Sequence, residues 1–226
     1  MNPLGKRSSE PSESEIQTKI IHRFMIDDWF CVRTHGNAHQ AGFPDVYMCH
    51  RRFGARWVEV KKPKGYRFTQ AQMDVFHNFA KKHIGVWVLT SHEDHERKKV
   101  FGPTNWYQYL TTCTLTGQQP KPIKKFGPEG IIQDQIISKL RSDDWYCIET
   151  YGNMFQSGLP DVYCCHAKYG SRWIECKNPN GYKFTDAQLK VFPRFGAESI
   201  GIWIMMSISD IPKMFGPPNW YHYLWK

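Results

Sequence analysis

Arg56-Trp57-Val58-Glu59-Val60-Lys61 and, 116 residues further on, Arg172-Trp173-Ile174-Glu175-Cys176-Lys177 are one strand-like hexapeptide written twice. The match extends outward from it at the same spacing. Gly42-Phe43-Pro44-Asp45-Val46-Tyr47 answers to Gly158-Leu159-Pro160-Asp161-Val162-Tyr163, and Asp27-Asp28-Trp29-Phe30-Cys31 to Asp143-Asp144-Trp145-Tyr146-Cys147. The register slips only after Ser91, where the first copy carries two extra residues in the charged stretch His92 to Lys99. Both copies close on Gly-Pro-x-Asn-Trp-Tyr-x-Tyr-Leu, at Gly102–Leu110 and Gly216–Leu224. Self-similarity at a fixed long spacing means a duplicated domain. The expected organisation is a disordered tail over 1–12, one copy over 13–110, a basic linker over 111–126 rich in Pro, Gly and Lys, and a second copy over 127–226.

Composition narrows the classes. The chain has 226 residues, 41% of them hydrophobic and 15% aromatic, which suits packed domains and confines disorder to short segments. No apolar run reaches the roughly 20 residues of a membrane helix, and no apolar core follows Lys6 and Arg7, so neither a membrane nor a secretory segment is expected. The seven cysteines include no Cys-x-x-Cys pair and mostly lie in apolar strand-like runs, which reads as buried thiols in a reducing compartment. The net charge of +9 is unevenly placed. Residues 1–125 hold 20 Lys and Arg against 11 Asp and Glu, whereas 126–226 hold 10 against 10. A polyanionic partner gripped mainly by the first half is the natural expectation.

Within a copy the hydrophobic period changes in a set order. Ile16, Ile20, Ile21 and Phe24 fall at helical spacing and predict a helix over about 13–26. Strands are predicted at Trp29–Thr34, Val46–His50 and Arg56–Lys62, the last two joined by a turn at Phe53-Gly54. Thr69 is a candidate N-cap for a second helix carrying Ala71, Val75, Phe76 and Phe79, and Val86–Thr90 predicts a buried strand. Helix, three strands, helix, strand makes an α/β layer domain.

Alternation along a strand places Trp57, Glu59 and Lys61 on one face, with Val58 and Val60 on the other. Asp45 opens the preceding strand of the hairpin and is expected beside Glu59. Glu13, on the first turn of the first helix, offers a third acid, although Glu15 competes with it for that place. Converging carboxylates repel unless a divalent cation joins them, and an oxygen-only set favours a hard ion such as Mg2+ or Mn2+. A lysine beside such an ion suits hydrolysis of a phosphodiester.

Asp45 followed by Glu59-x-Lys61, behind Gly42-x-Pro44-Asp45, resembles the PD-(D/E)XK nuclease signature. The wider pattern, with Glu13, Pro63, Gly65, Thr69 and Gln72, is similar to the VRR-NUC branch of that superfamily. The second copy matches at Glu129, Gly158-x-Pro160-Asp161, Glu175-Cys176-Lys177, Pro179, Gly181, Thr185 and Gln188. The resemblance covers nearly all of each copy. It implies two tandem restriction-endonuclease-like α/β domains, each a mixed central sheet flanked by helices. It also implies metal ligation by Glu13, Asp45 and Glu59, and by Glu129, Asp161 and Glu175. Lys61 and Lys177 would assist the attacking water. Gln72 and Gln188 read equally well as site support or as ordinary exposed helix residues.

Arg51, Arg52 and Arg56 on the hairpin, with Lys62, Lys64 and Arg67 after the site, are expected to flank the metal-binding carboxylates and are candidate DNA contacts. The second copy has Asn178, Asn180, Ala167 and Tyr169 against Lys62, Lys64, Arg51 and Phe53, so a poorer grip on DNA is expected there. Trp57, Trp87, Trp106, Trp173, Trp203 and Trp220 suit core packing better than base stacking. The resemblance implies an endonuclease whose tandem copies imitate a dimer, acting on branched or double-stranded DNA in the cytoplasm of a bacterial or phage-infected cell. The alternatives are a sequence-reading defence nuclease, using loops such as His35 to Ala41, and a DNA-binding protein with one working site.

Overall fold

A capping box starts the first helix, α1 (Glu13–Ile26): the Ser12 hydroxyl accepts from the Glu15 amide, and the Glu15 carboxylate accepts from the Ser12 amide. Ser12 is therefore part of the fold and not of the expected tail. The computed structural model describes residues 10–34, 42–112, 114–116, 127–150 and 157–224. Residues 1–9 of the expected tail, most of the linker and the loop His35 to Ala41 fall outside these.

Strands β1 (Phe30–Arg33), β2 (Val46–His50) and β3 (Gly54–Val60) pair antiparallel, with Val46 opposite Val58 and Arg33 opposite Val46. A short strand β4 (Arg67–Thr69) leads into helix α2 (Gln70–Lys81), which returns the chain so that β5 (Val86–Leu89) joins β3 in parallel. A parallel partner requires such a crossover. The sheet order is β1-β2-β3-β5. A single helical turn, α3 (Asp94–Arg97), follows.

Strand β6 (Thr114–Thr116) pairs in parallel with β4, Phe68 opposite Leu115. Within the stretch 111–126 expected as linker, residues 114–116 are thus paired as sheet beside the entrance to α2. The second half repeats the plan with α4 (Pro128–Ser142), β7 (Tyr146–Glu149), β8 (Val162–His166), β9 (Gly170–Cys176), α5 (Asp186–Ala197) and β10 (Ile202–Met205), in sheet order β10-β9-β8-β7. The protein is thus α/β with two four-stranded mixed sheets, each with its helices, arranged as two similar units.

Strand alternation sends side chains to two different cores. One face of the first sheet, with Val46, Met48, Val58 and Val60, packs on Ile16, Ile20 and Phe24 of α1. The second sheet does the same with α4 through Val162, Cys164 and Ile174. The other faces meet in one apolar cluster drawn from both halves, containing Tyr47, Trp57, Phe76 and Phe79 with Tyr163, Trp173, Phe192 and Phe195.

The contacts there are reciprocal. Tyr47 meets Trp173 at 5.2 Å between ring centroids and Trp57 meets Tyr163 at 5.1 Å. Likewise Phe30 meets Phe195 at 5.6 Å and Phe79 meets Tyr146 at 6.0 Å. Residue i on j and j on i is the mark of a twofold interface. Lys82 bridges to Asp144 at 2.7 Å, and the Arg51 amide donates to Glu198 at 2.7 Å. Both polar contacts lie at the strand ends remote from Asp45 and Asp161.

Among the described residues no helix is long and apolar enough to cross a membrane. The six cysteines described are free thiols, five of them buried.

Candidate active site

Gly42 begins the site. It holds φ +95°, and a Cβ there would stand 2.2 Å from the Ala71 carbonyl oxygen. Only glycine lets the chain lie this close to α2 while turning into β2. Thr34 then ties the turn down: its hydroxyl donates to the Pro44 carbonyl, and its amide donates to the Asp45 carbonyl at 2.9 Å. Gln17 of α1 donates to that same Asp45 oxygen at 3.1 Å. The second half repeats the device with Gly158 at φ +90° and with Thr150.

The turn aims Asp45 at the adjacent strand, where Oδ2 accepts from the Val60 amide at 2.7 Å. Glu59 is fully buried and Lys61 nearly so, and the Lys61 ammonium lies 2.7 Å from Glu59 Oε1. The Lys61 amide donates to the Leu89 carbonyl, so sheet pairing continues past β3 and keeps the two side chains on one face. Gln72 does double duty. Its Oε1 accepts from the Thr69 amide as part of the helix cap, while its Nε2 donates to Glu59 Oε1. The structure therefore places Gln72 against Glu59 and not on an exposed helix face.

Glu13 accepts from the Lys62 amide at 3.3 Å, next along the chain from Lys61, whereas Glu15 is engaged in the α1 cap. Ile131 at the Glu15 position of the second copy already favours Glu13, and the cap accounts for Glu15. The second half keeps the arrangement. Lys177 lies 2.7 Å from Glu175, Asp161 Oδ2 accepts from the Cys176 amide at 2.9 Å, Gln188 donates to Glu175 at 2.6 Å, and Glu129 accepts from the Asn178 amide at 3.2 Å.

Burial pushes the Asp45 carboxyl up to about 6, opposed by the Val60 amide and the Lys61 charge and reinforced by Glu13. Burial also lifts Glu175 to about 8, with the charge of Asp161 adding to it. Burial works against the ammonium form of Lys61, yet Glu59, then Asp45 and Glu13, outweigh it and hold the amine protonated well into the basic range. Lys177 behaves likewise. In this state each lysine is a hydrogen-bond donor and a fixed positive charge rather than a base.

Among the described residues, no three of His, Cys, Asp and Glu form a ready-made metal cage. The donor chemistry nonetheless fits a small hard cation, which commonly takes one or two carboxylates and leaves its other positions to water and phosphate. Asp45 with Glu59, and Asp161 with Glu175, are the oxygen pairs that would hold one, with Glu13 and Glu129 at the rim.

The proposed DNA contacts divide. Lys62, Lys64 and Arg67 are exposed on the turn and strand just past Lys61. Arg51 and Arg52 instead occupy the β2–β3 turn, six and seven residues on from Asp45 and beyond the far end of β2, a strand of about 16 Å. Arg56 is committed to the fold: its Nε donates to the Val100 carbonyl at 2.9 Å and its guanidinium covers the Trp87 ring, as Arg172 does on Met214 and Trp203. The expectation that all three flank the carboxylates is corrected by strand polarity, since a hairpin's turn is at the opposite end from its open end. The tryptophans behave as core: Trp57 and Trp173 are 1% exposed, and Trp87, Trp106 and Trp203 are buried too.

Sequence reasoning missed Gln17, Thr34 and Arg33, which border Asp45. Gln17 and Thr34 recur as Gln133 and Thr150 at the repeat spacing, and that signal was available. Comparison with protein-family models, with curated proteins and with solved structures finds no match for this chain.

Proposed function

We propose that the protein is a divalent-metal-dependent endonuclease of the PD-(D/E)XK type that hydrolyses DNA phosphodiesters at two sites related by a pseudo-twofold. One observation carries this reading: the set of Asp, Glu, Lys and Gln is assembled twice, on the same elements, with a Lys–Glu separation of 2.7 Å in both halves. Two salt bridges serving only to join strands would have no need of a buried glutamine and a glycine turn directed at the same spot.

A bound Mg2+ or Mn2+ supplies positive charge for the phosphate and for the attacking water. The chain's own residues do the rest. Asp45 and Glu59 present the oxygens, and Gln72 and Lys61 fix the Glu59 carboxylate by donating to it. The Lys61 ammonium, held protonated by its neighbours, places a charged donor where negative charge grows on the phosphate. Lys62, Lys64 and Arg67 at the mouth suit contacts to flanking phosphates.

The halves repeat the site about a pseudo-twofold, and the two polar contacts between them, Lys82 with Asp144 and Arg51 with Glu198, lie at the strand ends remote from the carboxylates. Such a pair of sites suits cutting two strands of a branched or duplex substrate, and branched DNA is the preferred one because no separate base-reading module accompanies the two units among the described residues. The test is cleavage of four-way junction, flap, single-stranded and linear duplex DNA side by side with Mg2+ or Mn2+. Junction cutting abolished by chelation and by the double change Lys61→Ala/Lys177→Ala is expected. No cutting of any substrate would refute the proposal, and equal cutting of linear duplex at one sequence would favour a sequence-reading enzyme.

A further inference from the structure

Both halves hold the same acids and lysine, but the charges around them differ: Glu15, in the first turn beside Glu13, becomes Ile131, while four other positions shift the opposite way. Arg33 ends β1 directly opposite Val46, the residue after Asp45, and donates to the Thr18 hydroxyl on α1 at 2.7 Å. The equivalent positions in the second half are Glu149, opposite Val162, and Asp134 on α4. Glu149 is half-buried there and accepts from Gln133 at 3.0 Å. A cation and a hydroxyl between the end of β1 and α1 in the first half are thus replaced by two carboxylates at the equivalent places in the second.

The other rim changes the same way. Lys62 and Lys64, exposed past Lys61, become Asn178 and Asn180. Every one of these four differences makes the second mouth more negative or less positive. A DNA strand brings one negative charge per phosphate, so the two mouths attract it very differently while their inner groups are alike.

We propose that the two halves cut in order and not in concert: the first half captures DNA and makes the first cut, and the second half acts later, on a strand the first already holds. This rests on the nuclease reading and assigns Arg33 as a phosphate-gripping residue of the first site. Each cut adds one water across one P–O bond, leaving a phosphate monoester on one side and a hydroxyl on the other.

The experiment is a time course on supercoiled plasmid carrying an extruded cruciform, which is a four-way junction, with Mg2+, joined to a binding measurement that needs no cleavage. Nicked circles are expected to accumulate before linear product. The residual first-cut rate of Lys177→Ala should exceed that of Lys61→Ala at least tenfold. In the Lys61→Ala protein, adding Glu149→Arg, Asp134→Thr, Asn178→Lys and Asn180→Lys should raise cutting at least tenfold. The exposed pair Asn178→Lys/Asn180→Lys alone should raise it several-fold, which guards against a folding defect from the change at Glu149.

By fluorescence anisotropy on duplex DNA with chelator, Arg33→Glu/Lys62→Asn/Lys64→Asn should flatten the dependence of log affinity on log salt by about 2–3, and the four-residue exchange in the second half should steepen it. Equal residual rates for the two lysine variants, or salt slopes that move by the same amount whichever half is changed, would overturn this inference while leaving the nuclease intact. Plasmid left uncut by every protein would overturn both.

Discussion

Asp45 illustrates what the site costs the fold. Its carboxyl is pushed from 3.8 to about 6, mainly by burial, so the folded chain binds that proton more tightly than the unfolded one. Stability should therefore fall as pH rises from about 4 through 6 and level off above. Asn in its place still accepts from the Val60 amide and carries no charge. With chelator present, Asp45→Asn is expected to gain roughly 1–2 kcal/mol at pH 7.5 and nothing near pH 4, the range allowing for the residue's partial exposure. Urea unfolding at both pH values checks this, and a gain of equal size at pH 4 would contradict the assigned cause. Gly42 makes the opposite case. Gly42→Ala forces both a left-handed φ and a collision with the Ala71 carbonyl, and a loss of about 3 kcal/mol is expected from denaturant midpoints. The Gly-x-Pro-Asp motif was visible as a repeat, but the reason for its glycine was not, because the clash partner lies on another element.

Helix α2 joins stability to chemistry in one residue. Thr69→Ala removes the cap acceptor for the Gln72 amide and should cost about 1 kcal/mol with less than a threefold change in cleavage rate. Gln72→Ala loses its cap bond as well as its hold on Glu59, so a similar stability loss should come with at least a tenfold drop in rate. Comparing the two variants separates capping from support of the site. In the second half, Pro193 sits inside α5 where the first half has His77, and it cannot donate a backbone hydrogen bond to the preceding turn. Pro193→Ala is expected to raise the thermal midpoint, by about 2 kcal/mol in stability, and an unchanged midpoint would mean the helix has already adapted to the proline. The helix positions, the Thr69 cap and four strands per copy were all legible from periodicity. Strand β4 was not, because its partner β6 comes from a stretch that looks like linker.

The reciprocal aromatic cluster makes the two halves one packed body. Each copy alone would expose Tyr47 and Trp57, or Tyr163 and Trp173, to water, a large apolar area to leave unburied. Trp57→Ala and Trp173→Ala are each expected to cost about 3–5 kcal/mol. Calorimetry should show one unfolding transition for the parent chain, with both variants lowering it as a whole. Two separate transitions in the parent chain would mean that the halves fold independently and touch only weakly.

Duplication, the order of elements within a copy and the pairing of Glu59 with Lys61 on one face all follow from local rules, since period and alternation are properties of neighbouring residues. That Asp45 meets the Val60 amide, that Gln72 reaches Glu59, and that Arg51 lies far from both depended on strand register and polarity. The sharing of Trp57 and Trp173 between halves depended on how two sheets pack, which no spacing along one chain encodes. Contacts between distant segments are chosen by the packed whole, where shape and burial decide, and so they appear only in three dimensions.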